Sequence, residues 1–148
     1  MAFKFLFSFD PKTNPRIQED LDLGRYTALL LRITGKTVAG ETLAPEDFGR
    51  INIDRPANSM RISGDFAFWH NLDNRFGGFI ESTTPTAGDS AISAVIPFSI
   101  PRLGGGQVNN CLHVRSEDEV DIDIDVNDNT LSTRFGSNPA RVEVWGIT

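Results

Sequence analysis

The sequence predicts an all-β fold, a sandwich or barrel of antiparallel strands, and three patterns support this prediction. Acidic and branched apolar residues alternate from Glu119 to Asn127, and phenylalanines occupy every second position from Phe3 to Phe9. Short apolar runs are separated by turns that contain Gly and Pro, and no long amphipathic helix is visible. A period of two matches a strand, whose successive side chains leave on opposite faces, and it does not match a helix. Regularly spaced short strands of this kind are typical of sandwiches and barrels.

The segment Glu119–Asn127 predicts a half-buried strand with two chemically different faces. One face carries the four branched apolar residues Val120, Ile122, Ile124 and Val126. The other face carries the three aspartates Asp121, Asp123 and Asp125. We expect the first face to pack on a core and the second to meet water or a partner.

The first half of the chain alternates well enough to predict four strands. They are Phe3–Phe9, Tyr26–Thr34, Arg50–Ile53 and Ser59–His70. The polar segment Lys12–Gly24 is expected to cross the surface. Ala44–Gly49 is expected to form one helical turn, because Pro suits the first helical position and Gly ends a helix. Gly64 predicts a bulge or bend, after which Phe66 and Phe68 resume the alternation.

The second half predicts five further strands. They are Ala91–Ile100, Cys111–Arg115, Glu119–Val126, Leu131–Phe135 and Arg141–Ile147. Polar or Gly-rich loops separate them, including Thr83–Asp89 and Pro101–Gly106. The chain shows no repeat and no linker, and 148 residues can bury one core. We therefore predict a single domain over residues 1–148.

Composition restricts the classes of function. The formal net charge is −6 and the isoelectric point is about 4.8, which disfavours direct nucleic-acid binding. Cys111 is the single cysteine, so the sequence predicts no intrachain disulfide and favours a buried apolar role for its thiol. The apolar segment Met1–Phe9 is too short to span a membrane and lacks the cleavage pattern of a signal peptide.

The residues that usually carry catalysis are sparse. His70 and His113 lie far apart in sequence and have no Glu or Cys at zinc-ligand spacing. The sequence has no Gly-x-Ser-x-Gly elbow, and Gly104–Gly106 is not followed by the Lys-Ser/Thr of a phosphate-binding loop. The sequence therefore predicts no catalytic residue, no cofactor and no enzymatic activity. A cupin-like metal enzyme is disfavoured because a cluster of His ligands is missing.

Two ligand-binding interpretations stay open beside this one. An EF-hand is excluded because Gly and Glu are missing from the required positions, but an isolated calcium site at Asp125, Asn127 and Asn129 is an alternative to a solvated acidic strand. The second concerns the aromatic residues between positions 66 and 79, which would line the pocket of a carbohydrate- or ligand-binding sandwich or else fill the core. They are Phe66, Phe68, Trp69, Phe76 and Phe79.

Four segments in order resemble the coat proteins of tailless, internal-membrane icosahedral bacteriophages, namely their upright single jelly-roll capsid proteins. The segments are Arg25–Gly35, Leu43–Ile53, Phe68–Gly78 and Val95–Pro101. The resemblance implies an eight-stranded jelly roll that stands perpendicular to the shell and assembles into pseudo-hexameric capsomers over a lipid vesicle. It carries over no catalytic residue. A long basic or amphipathic arm is not visible, so no element for direct membrane contact is predicted.

The function implied by this resemblance is that of a virion structural protein. A major capsid subunit is favoured over a vertex (penton) protein, with copies of itself and other capsid proteins as partners, the internal viral membrane nearby and assembly in the host cytoplasm. Direct nucleic-acid binding is not expected. We expect the aspartates Asp121, Asp123 and Asp125 to meet arginines of a neighbouring subunit in a salt-sensitive interface. The candidate arginines are Arg32, Arg61, Arg102 and Arg141.

Overall fold

The computed structural model describes residues 2–55, 60–75, 89–98, 112–115, 119–126 and 128–148, and the structural statements below concern these residues. For some of them, Arg61 and Asn129 included, only the backbone is described. The strands are β1 (Phe3–Phe9), β2 (Arg16–Asp20), β3 (Gly24–Tyr26), β4 (Ala28–Lys36), β5 (Phe48–Arg55), β6 (Met60–Asp65), β7 (Asp89–Pro97), β8 (Leu112–Val114), β9 (Asp121–Val126) and β10 (Ala140–Ile147). The helices are α1 (Phe66–Arg75) and α2 (Asp128–Phe135), with the predicted single turn at Pro45–Asp47.

The strands form two four-stranded antiparallel sheets and one small ribbon. Sheet I has the order β1-β10-β4-β7, sheet II has the order β2-β9-β5-β6, and β3 pairs with β8. The pairing is nested along the chain: β5 pairs with β6, β4 with β7, β2 with β9, and β1 with β10. The predicted all-β sandwich is confirmed. No described helix is long and apolar enough to cross a membrane.

The core lies between the inner faces of the two sheets. Sheet I contributes Leu29, Leu31, Ile33, Ile92, Ala94, Ile96, Val142 and Val144, and sheet II contributes Ile51, Ile53, Ile122, Ile124 and Val126. Each large side chain buried in this way stabilises the fold by about 1.5–3 kcal/mol. The apolar face predicted for the segment around β9 is confirmed, because all four of its branched residues are buried.

A bulge in β1 divides its phenylalanines between two faces. Phe5 lies opposite Trp145 and Phe7 lies opposite Val144, and the register shifts between them. One extra residue in a strand reverses the faces of everything that follows it. Phe7 and Phe9 therefore pack on the core, whereas Phe3 and Phe5 point outward and are 47% and 43% exposed.

The predicted strand Ser59–His70 is a strand only over Met60–Asp65, because α1 begins at Phe66, and the predicted strand Leu131–Phe135 lies in α2. The spacing of the buried residues explains both helices. In α1, Phe66 and Trp69 are three positions apart and both are buried, whereas Phe68 is exposed. In α2, Leu131 and Phe135 are four positions apart and both are fully buried. Spacings of three and four place these side chains on one helical face, which covers the core better than a strand of so few residues would.

Gly64 does not mark the predicted bulge. Strand β6 pairs in regular register with β5 through Asp65. A Cβ atom on Gly64 would lie 2.9 Å from the indole Nε1 of Trp69, so this glycine makes room for the ring.

The polar segment Lys12–Gly24 contains a strand that the sequence did not predict. Strand β2 pairs with β9 at the edge of sheet II, with Arg16 opposite Asp125 and Asp20 opposite Asp121. Its residues are largely polar, so hydrophobic alternation could not reveal it. The backbone hydrogen bonds to β9, rather than burial of its own side chains, stabilise β2.

Candidate functional site

The outer face of sheet II is polar and predominantly acidic. The residues that alternation places on it are Arg16, Gln18, Asp20, Arg50, Asn52, Asp54, Arg61, Ser63, Asp65, Asp121, Asp123 and Asp125. The Nε of Arg50 donates to Ser63 Oγ (2.9 Å), and Ser63 Oγ donates to Asn52 Oδ1 (2.6 Å). Six of these residues are acids and three are bases, so this face carries negative charge.

Three carboxylates meet at one end of this face, and we call them the acidic cluster: Asp20, Glu119 and Asp121. One oxygen from each lies within 4.8 Å of the other two. Asp20 comes from β2, Asp121 begins β9, and Glu119 lies two residues before it. Asp54 of β5 stands opposite Asp121 on its other side. Like charges brought this close repel one another unless a proton or a cation lies between them.

Asp121 is the buried member of the acidic cluster, with 7% of its surface exposed. Its Oδ2 accepts a hydrogen bond from Gln18 Nε2 (3.3 Å), whereas no donor among the described residues reaches its buried Oδ1. The hydrogen bond with Asp20 raises the pKa of Asp121 to about 6, together with burial and the negative charges of Glu119 and Asp20; Gln18 opposes this shift.

The outer face of sheet I differs from that of sheet II. Phe5 and Trp145 pack edge to face with ring centres 5.2 Å apart, and the Arg141 guanidinium lies 6.0 Å from the Phe5 ring centre. Arg141 Nε also approaches Glu143 Oε1 at 3.5 Å. Beside these residues lies an open groove of about 630 Å³ that contains three cationic residues. Its lining is Arg32, Thr34, Gly35, Lys36, Ala91, Pro139, Ala140 and Arg141.

The predicted interface residues are thus divided between two faces. Asp123 and Asp125 lie on the outer face of sheet II, where Asp125 is exposed and Asp123 is half-buried. Arg141 lies on sheet I, so it is not a neighbour of the aspartates within one chain. Arg61 belongs to sheet II itself, opposite Asp54. Arg102 lies outside the described residues, and the interface role of all these residues stays a prediction.

Sequence reasoning missed Asp20, Glu119 and Asp54 as neighbours of Asp121. Glu119 and Asp121 share the parity of the alternating segment, and this was the one signal available. Asp20 and Asp54 reach Asp121 only through the pairing of β9 with β2 and β5. Such long-range register is not visible in a single sequence.

The other candidate residues either have structural roles or lie outside the described residues. His70 Nδ1–H donates to the Ser93 carbonyl oxygen (2.7 Å) and its ring stacks on Phe66, which ties α1 to β7. His113 lies on β8, opposite Arg25.

Of the proposed aromatic pocket, Phe66 and Trp69 are part of the core, whereas Phe76 and Phe79 are outside the described residues. Of the proposed calcium ligands, Asp125 is exposed near the end of β9. Asn127 and the side chain of Asn129 are not described, so that prediction stays untested. Cys111 and Gly104–Gly106 also lie outside the described ranges.

Comparison with known proteins gives a likeness of fold. No family model matches the chain, and no curated protein does. The crystal structure of the major capsid protein P2 from bacteriophage PM2 is similar over 99% of this chain, with 13% sequence identity and a TM-score of 0.57. The matched region covers 51% of the PM2 protein, so this chain spans about half of its length. The chain therefore has a fold like that found in a phage major capsid protein.

Proposed function

We propose that this protein is a virion structural protein, a capsid subunit that builds an icosahedral shell by self-association and has no enzymatic activity. The observation that carries the proposal is the similarity of nearly the whole chain to part of the PM2 capsid protein. The strand order supports the predicted jelly roll, because eight strands form two four-stranded sheets with nested pairing. The ribbon of β3 and β8 is then an addition to the eight-stranded barrel.

The two outer faces suggest how copies of the subunit meet. Sheet II presents acids, including Asp123 and Asp125, whereas the groove on sheet I presents Arg32, Lys36 and Arg141. Sheet II of one copy placed against sheet I of the next gives a heterologous contact, which closes into a ring when the rotation between copies allows it. Opposite charges across such a contact favour the correct orientation and make assembly sensitive to salt.

The proposal extends to the place of the subunit in the particle. Two copies of this chain, or one copy beside another coat protein, would match the length of one PM2 subunit. A major capsid role is favoured over a vertex role, in a shell near the internal membrane that assembles in the host cytoplasm. Subunit counts in purified particles test this assignment, since a vertex protein would be present in far fewer copies.

Charge reversal tests the proposed contact. We expect Asp123→Lys and Arg141→Asp each to reduce assembly, and the double variant to restore much of it, because the charges then attract again. Glu46→Lys is the matched control, since Glu46 is exposed on the turn at Pro45–Asp47, belongs to neither sheet and carries the same charge as Asp123. Sedimentation and negative-stain electron microscopy across protein and salt concentration are the measurements. A protein that stays monomeric under every condition would contradict the capsid assignment.

A further inference from the structure

We propose that Asp20, Glu119 and Asp121 form a binding site for a divalent cation of the calcium class on the outer face of sheet II. This inference is independent of the capsid role, because it rests on side chains within a single chain. The three carboxylates come from two strands and the segment before β9, and one oxygen of each lies within 4.8 Å of the others. One bound ion would connect the edge strand β2 to β9.

The site is more than a group of surface acids, because Asp121 is over nine-tenths buried. Gln18 Nε2 donates one long hydrogen bond to its Oδ2 (3.3 Å), whereas Oδ1 is buried without a donor among the described residues. One carboxylate oxygen of Asp20 lies within 4.8 Å of a carboxylate oxygen of Asp121, so a second negative charge adjoins the buried one. A buried carboxylate oxygen without a donor is costly, and a bound cation would remove that cost.

The ligand atoms indicate which cation fits. All three are carboxylate oxygens, the donors that calcium and magnesium prefer, whereas zinc sites usually include His or Cys. Calcium–oxygen bonds are about 2.3–2.6 Å long, so two oxygens on opposite sides of one ion are about 5 Å apart. The spacing within the acidic cluster meets this limit. Asp20 and Glu119 are exposed, so water can supply the remaining ligands that calcium needs.

Calcium titration of the full chain after treatment with a chelator tests the site. We expect calorimetry to show one calcium ion bound per chain and saturating calcium to raise the melting temperature by roughly 5 °C. Asp121→Asn should weaken binding at least about tenfold and remove most of the thermal shift, since it deletes the central charge. Asp125→Asn is the matched control, because it makes the same change on the same face of the same strand, and it should bind like the wild type.

A second variant keeps the test decisive if Asp121→Asn fails to fold. Asp20→Asn changes an exposed residue on the edge strand and should also weaken binding about tenfold. No heat of binding and no thermal shift at millimolar calcium would overturn the site. An equal loss in Asp125→Asn and Asp121→Asn would also overturn it, since binding would then reflect the diffuse charge of the face. Monomers that bind calcium but never assemble would leave the site intact and remove the capsid proposal.

Discussion

Two aspartates in this protein are almost equally buried and have opposite surroundings. Asp47 is 4% exposed and Asp121 is 7% exposed. Asp47 Oδ2 accepts hydrogen bonds from the Ala44 amide (2.7 Å) and Arg134 Nε (3.1 Å), and its Oδ1 accepts one from Arg134 Nη2 (3.3 Å). Among the side chains that the structure describes, Asp121 has one weak donor, Gln18, and its charged neighbours are acids.

The comparison separates a structural carboxylate from a ligand-binding one. Hydrogen bonds to Asp47, and to a smaller extent to Glu41, raise the pKa of the Arg134 guanidinium. The two carboxylates and the guanidinium therefore stabilise one another in their charged forms. It fastens α2 to the turn at Pro45–Asp47, 87 residues away in sequence. No described cationic side chain pairs with Asp121 in this way. Burial of a carboxylate therefore says little by itself, and the donors around it decide what it does.

The largest expected effect comes from removing the cation that satisfies Asp47. Arg134→Ala leaves a buried carboxylate without its main partner, and we expect the free energy of unfolding to fall by about 3–5 kcal/mol. Urea denaturation measures the loss. Arg141→Ala is the control, because its contact with Glu143 is long, Arg141 itself is exposed to solvent, and the pair should contribute less than about 1 kcal/mol. Equal losses in the two variants would contradict the structural role of Asp47.

The same chemical change at the two aspartates should have opposite signs. Asp47→Asn removes the charge that faces Arg134, so we expect a loss of about 2 kcal/mol. Asp121→Asn, measured in chelator, removes repulsion from Asp20 and Glu119 and should raise stability by about 1 kcal/mol. Denaturation of both variants in one buffer checks this. A loss at Asp121 as large as that at Asp47 would show that Asp121 is held by a donor after all.

Only the local features of this comparison, those set by residues close together in the chain, could be predicted from the sequence. The alternation that predicts the strand around Ile122 and Asp123 lies within nine residues, and burial confirms it. Leu131 and Phe135 fit either a short strand or a helix, and only the core beneath them favours the helix. The contacts of Asp121 depend on strand pairing between distant segments, as do those of Arg134. No local pattern encodes them, so the acidic cluster was found only in the folded chain.

The smallest expected effect is a pH dependence that separates proton binding from cation binding at Asp121. Its pKa is raised from the ordinary 3.8 to about 6, so the folded state binds the extra proton more tightly than the unfolded state does. The stability that this proton confers is complete below about pH 4 and is lost as the pH rises through about 6. Within the described part of the chain, the groups that face Asp121 are Asp20, Glu119, Asp54 and the neutral Gln18.

In chelator, wild-type stability minus that of Asp121→Asn should therefore fall between pH 4.5 and 7.5. The subtraction removes the titration of carboxylates that both proteins share, so thermal melts of the pair across this range are sufficient. Calcium should reverse the trend, since a cation stabilises the ionised cluster at high pH, where the proton no longer does. A flat difference in chelator would mean that water already satisfies Asp121, in which case the contrast with Asp47 would lie only in the kind of donor.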